Sequence, residues 1–173
     1  ARPHPLEARC VYPVLADEVT YARRDFTVTG EGTGAEANPA TPRFNGGIET
    51  YGEYDGQSTC SPDTKPGMAA FIRLVQRHYG GGSLGVGRGC GVGGQSEHKE
   101  GRAWDWAMNA GSAGDRSRVQ ALFNWLFATD DRCRTYANAR RIGMMYIIWN
   151  RRMFRMYDVD RGWAPYSGPS AHT

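Results

Sequence analysis

Apolar positions are scattered through the first third of the chain and become periodic only near Pro66. From there Met68, Phe71, Ile72 and Val75 recur at spacings of three and four, which puts them on one helical face and predicts a helix that ends by Tyr79. Asp63 or Thr64 is the expected cap, and Pro66 suits the first turn, where a missing N–H costs nothing. Between Gly101 and Asn109 the period shortens to two. Ala103, Asp105 and Ala107 alternate with Trp104, Trp106 and Met108, the pattern of a strand that sets Asp105 beside two small side chains. A second apolar stripe, Val119, Leu122, Phe123, Leu126 and Phe127, predicts a helix capped by Asp115, and a more polar third helix is expected over 131–140. Ile142 to Trp149 then reads as a buried strand, and the alternation from Arg152 to Tyr157 supplies a hairpin partner across an Asn150-Arg151 turn.

Two stretches lack such patterns. Residues 1–65 are rich in turn formers such as Thr29-Gly30, Asn45-Gly46-Gly47 and Ser61-Pro62-Asp63, which predicts an irregular lobe with short strands near Val11 to Leu15 and Asp25 to Val28. Nine glycines fall between Gly80 and Gly94, too many for a regular element given the entropy each loses on ordering, so a long ordered loop pinned by Cys90 is expected there. The order of elements predicts an α+β fold in which helices pack on a single antiparallel-type sheet. Residues 1–59 form an N-terminal lobe or extension, and 60–173 form the working domain.

Composition narrows the class. At 173 residues with 40% hydrophobic, 12% aromatic and 23% charged content, the chain can bury a core, which excludes a disordered polymer. The net charge of +3 is carried by scattered arginines, so no nucleic-acid footprint exists, although an anionic wall polymer would suit it. The longest apolar run, Met144 to Trp149, falls far short of the roughly 18 residues a membrane-spanning helix needs. The opening Ala1-Arg2-Pro3-His4-Pro5 fits a mature secreted protein or an expressed fragment, and a monomer is expected. Cys10, Cys60, Cys90 and Cys133 lie far apart with no C-x-x-C pair, which favours disulfides over a zinc ribbon and implies an oxidising compartment. Of the three possible connectivities, Cys60 with Cys90 is preferred because the two bracket one helix and its loop, leaving Cys10 with Cys133.

The segment Ser96-Glu97-His98-Lys99-Glu100-Gly101-Arg102-Ala103-Trp104-Asp105 carries the chemistry. It puts an imidazole at the end of a loop and a carboxylate in the next strand, two zinc-ligand types separated by a glycine that lets the chain turn. By spacing alone such a pair is more often a loop histidine and a hydrogen-bonded carboxylate. The pattern Ser96-x-His98-x-x-Gly101-x-Ala103-x-Asp105 resembles, at every named position, the S-x-H-x-x-G-x-A-x-D motif of the D-alanyl-D-alanine metallopeptidases, the VanX- and VanY-like family with the Hedgehog/DD-peptidase fold. The stretches Arg141 to Asn150, Trp163 to Gly168 and Ala171-His172-Thr173 look like its secreted actinobacterial members, so the similarity runs from about Cys60 onward.

That resemblance implies a zinc peptidase acting on the peptide stems of peptidoglycan, as a carboxypeptidase or an endopeptidase. It implies His98 and Asp105 as zinc ligands and Ser96 as a residue that orders the loop or contacts substrate. The family completes its site with a C-terminal Asp-His-x-His or Glu-x-x-His segment. This chain reaches Thr173 where that segment is expected to begin, so either truncation, processing or substitution by His172 is implied. A non-catalytic wall-binding or inhibitory domain on the same fold is the alternative.

Other residues are weaker candidates. Arg88, on the glycine loop, would steady an oxyanion or a substrate carboxylate, or simply be solvated. Tyr146, Tyr166 and Trp163 are candidate substrate contacts, though aromatic residues on strands are more often core. Glu97, Lys99, Glu100 and Arg102 read as a solvated charged face. Gly81-Gly82-Ser83-Leu84-Gly85 fits G-x-S-x-G by letter and suggests a serine hydrolase using Ser83, but a nucleophile elbow needs a strand before the serine and a helix after it, whereas here a helix precedes and more glycine loop follows.

Overall fold

The computed structural model describes residues 50–168; the two short strands expected near the N-terminus, Cys10 and His172 lie outside the described residues. Helix α1 spans Pro66–Tyr79 and leads into strand β1, Gly82–Gly85. A 3-10 turn, Glu97–Glu100, precedes β2, Asp105–Ala107. Helices α2, Ala113–Leu126, and α3, Ala137–Arg141, are followed by β3, Tyr146–Trp149, β4, Arg152–Arg155, a 3-10 turn at Val159–Arg161, and β5, Ala164–Pro165. The architecture is α+β, with small antiparallel sheets.

Where one sheet was expected there are two, β1-β2 and β3-β4-β5. β1 was not anticipated, because its sequence Gly-Ser-Leu-Gly lies in the glycine tract. It forms because β2 offers a partner: Gly82 pairs with Ala107 and Ser83 with Trp106, before a register shift at Gly85. A glycine at position 81 is required by its neighbours as well as by its φ of +84°, since a Cβ there would run into the Trp106 and Met108 side chains.

The long helices follow their apolar stripes. α1 begins at Lys65 with no side-chain cap, in place of Asp63 or Thr64. α2 is capped by Ser112, whose Oγ accepts from the Asp115 amide, so Asp115 lies inside the first turn rather than at the cap. The third helix is only Ala137–Arg141. Residues 131–136, expected to be helical, instead fold around the Asp130 carboxylate, which accepts from the Arg132 and Arg134 amides and from the Arg134 and Arg141 guanidinium groups. Those bonds compete with a helical ladder. The β3–β4 hairpin pairs Tyr146 with Arg155 and Trp149 with Arg152 across the Asn150-Arg151 turn expected for it.

The core lies where α1 and α2 meet the inner face of the three-stranded sheet. Val75 from α1 and Leu126 from α2 are fully buried, packed with Val119, Leu122, Phe154 and Met156. Aromatic rings close one side: Phe127 packs on Phe154 at 4.6 Å between centroids, and Trp163 on Phe123 at 5.1 Å. No helix among the described residues is long and apolar enough to cross a membrane.

Candidate functional site

The loop that carries His98 is held from below by the strand of chain that precedes α1. Ser61 N donates to Lys99 O and Lys65 N to Gly101 O, while the Ser96 amide donates to the Gln57 side-chain oxygen. The Cys60–Cys90 disulfide fastens the same segment to the glycine tract, as the spacing predicted. Cys133 is also disulfide-bonded; Cys10, its expected partner, is among the residues not described.

Glu100 is the centre of this arrangement. Its Oε1 accepts from the Ser58 and Thr59 amides and the Thr59 hydroxyl, and its Oε2 from Arg102 Nε at 2.7 Å. Those donors, the Thr59 amide foremost, hold its carboxyl down at about 2. The expectation of a solvated charged face is therefore corrected for Lys99 and Glu100, both of which are buried. Lys99 reaches the Gly93 carbonyl with its ammonium group, and a charge with internal partners can leave water.

Gly101 ends the 3-10 turn at φ +65°, and a Cβ there would collide with the Asp63 carbonyl. This close approach aims His98 at β2. Its Nδ1 lies 2.7 Å from the Val86 carbonyl, an acceptor only, so Nδ1 carries the proton and donates. Nε2 then faces Asp105 Oδ1 at 3.5 Å. In the neutral imidazole both atoms are acceptors, and two acceptors face each other stably only when a cation lies between them. A proton is one such cation. The interaction with Asp105 and the Val86 bond raise the His98 pKa against the opposing effects of burial and of the Arg88 charge. A metal ion is the other. Ligands at about 2.0 to 2.2 Å on tetrahedral zinc lie roughly 3.3 to 3.6 Å apart, whereas a charge-assisted N–H to carboxylate bond closes to about 2.8 Å.

The pair sits at the wall of a cleft of about 970 Å³ between the two sheets. Arg88, Ser96, Tyr146 and Tyr166 also line it. Ser96 is buried at the start of the 3-10 turn, where its carbonyl accepts from the Lys99 amide, so it orders the loop. Tyr146 donates its hydroxyl to Glu97 Oε2 at 2.6 Å, which ties β3 to the His98 turn across the cleft. Burial first, and then the Glu97 carboxylate, push the Tyr146 hydroxyl well above the usual tyrosine range. Trp163, by contrast, packs its ring among Phe123 and Phe154. Ser83 is held in β1, its Oγ accepting from Trp104 Nε1 at 2.8 Å. Among the described residues no group of three or more histidine, cysteine, aspartate or glutamate side chains converges as a metal site.

Fold and site together define a small disulfide-bridged α+β domain that presents a histidine–aspartate pair in a cleft between two sheets. Residues 60–173 match the family described as VldE, C-terminal domain, and the chain belongs to that family. No curated protein and no solved structure matches it.

Proposed function

We propose that this protein is a secreted zinc-peptidase-like domain of Hedgehog/DD-peptidase type that acts on the stem peptides of peptidoglycan, with His98 and Asp105 as two of its zinc ligands. The observation that carries the reading is the 3.5 Å approach of His98 Nε2 to Asp105 Oδ1, with Nδ1 engaged by a backbone carbonyl. Such an outer hydrogen bond fixes which nitrogen is left to bind a metal. Zinc needs about three protein ligands and one open position for catalysis. A third ligand would have to come from outside the described residues, and His172 is the candidate within this chain.

When bound, zinc would acidify a coordinated water and polarise a scissile carbonyl. The chain's own residues supply the setting. Val86 orients His98, the Glu100 clamp fixes the turn beneath it, and Arg88 places a cation beside His98 for an oxyanion or a substrate carboxylate. The second reading is a non-catalytic wall-binding or inhibitory domain on the same fold.

Metal analysis and an assay on purified peptidoglycan separate the two. The peptidase reading expects close to one zinc per chain, and a loss of at least about a hundredfold in zinc affinity for His98→Ala or Asp105→Ala, in the range seen when metal-site residues are removed. It also expects zinc-dependent release of amino groups from the stems. A chain that takes up no stoichiometric zinc and releases none would sink it, and peptidoglycan binding without release would establish the second reading.

A further inference from the structure

β3 is the outermost strand of its sheet, yet its sequence is that of an inner one. Tyr146, Ile147, Ile148 and Trp149 carry no charge, no proline and no bulge, the devices by which exposed edges avoid pairing. The order β3-β4-β5 leaves its outer edge unpaired among the described residues. Tyr146 to Trp149 border the cleft of about 970 Å³, which Trp104, Asp105 and Trp106 of the other sheet also line. At the His98 end stands Arg88, whose guanidinium has no ion pair among the described residues. An unpaired backbone edge calls for an extended polypeptide, apolar walls for small apolar side chains, and a cation without an ion pair for a carboxylate.

We infer that the cleft binds a peptide as an added strand against β3, its terminal carboxylate held by Arg88 and its backbone carried past Asp105. The inference rests on the peptidase reading for its substrate class, and it deepens that reading by fixing the peptide's conformation and direction. Main-chain bonds to β3 supply affinity independent of sequence, while the cleft walls select small side chains at alternate positions. A free carboxylate end makes the bound peptide a carboxypeptidase-type ligand rather than an internal segment.

The probe is the pentapeptide Ala-Val-Thr-Val-Ala with a free carboxylate, beside its C-terminal amide and a version N-methylated at alternate residues. Binding is followed by tryptophan fluorescence and by amide hydrogen exchange of the full chain. The expected result is slowed exchange in β3, a loss of about tenfold or more on N-methylation, and a similar loss on amidation that vanishes in Arg88→Ala. Binding that leaves β3 exchange unchanged, or that ignores N-methylation, overturns the proposal, as does protection of β3 that grows with protein concentration in the absence of peptide, the mark of a second copy in the slot. Zinc-dependent release from peptidoglycan measured in parallel separates the two claims: release without β3 protection defeats the docking alone, and β3 protection without release defeats the peptidase alone.

Discussion

Glu100 accepts four hydrogen bonds, three of them from Ser58 and Thr59 some forty residues earlier, at the end of the turn that carries His98. Because its carboxyl is held near 2 in the folded protein against about 4.3 for an unperturbed glutamate, its contribution to stability is complete above the unfolded value. It is lost as the pH falls from about 4 toward 2. Glu100→Gln is therefore expected to lower the melting temperature by about 5 °C or more at pH 7 and to flatten the acid limb of the stability curve, as thermal melts between pH 2 and 7 would show. An unchanged acid limb would mean that other carboxylates carry that dependence. Asp130 behaves similarly. Burial would raise its pKa, but the Arg134 contacts and the Arg141 guanidinium override burial and hold it well below the usual carboxylate range.

The β3–β4 hairpin turns on Asn150 and Arg151, both at positive φ, 46° and 62°. A two-residue turn of this hand matches the twist of the strands, and it favours asparagine followed by glycine. Arginine at the second position carries a steric penalty of about 1 kcal/mol for its Cβ. Arg151→Gly should raise stability by roughly 0.5 to 1 kcal/mol in urea denaturation, the gain being reduced by the greater entropy of glycine in the unfolded chain. The hairpin and both long helices were legible from apolar spacing because each is stabilised mainly by the face it buries. The third helix was not, since the side-chain and backbone bonds around Asp130 outcompete it. β1 was hidden for a different reason: its glycine-flanked residues have little strand preference, and only β2 makes it a strand.

At the scale of the molecule, the described residues form two small sheets joined by helices, with the cleft between them and the His98 turn on its rim. The Cys60–Cys90 bridge closes a span of 30 residues that includes α1, β1 and the glycine tract. In the loop-entropy description such a bridge stabilises by about 3 to 4 kcal/mol. A Cys60→Ser, Cys90→Ser variant should lose about that much in denaturant unfolding, and under the proposed zinc reading it should bind the metal more weakly than the parent because the strap under His98 is no longer fastened. Equal zinc affinity in the two forms would show that the Glu100 clamp alone holds the turn.

Apolar periodicity fixed the positions of α1, α2 and the β3–β4 hairpin, and the spacing of cysteines fixed the Cys60–Cys90 bridge, because these features depend on residues close in sequence or few in number. The same was true of His98 and Asp105 as a pair, which lie seven positions apart on either side of one glycine. Tertiary structure alone decided that Lys99 and Glu100 are buried, that the sheet is divided in two, and that Tyr146 reaches Glu97 across the division. The Glu100 and Tyr146 contacts depend on partners some forty to fifty positions away, whose approach no local pattern encodes. The 3.5 Å between Nε2 and Oδ1 belongs to the same category: the residues were visible in the chain, but their separation is set by the strap, the bridge and the left-handed Gly101 that together aim the turn.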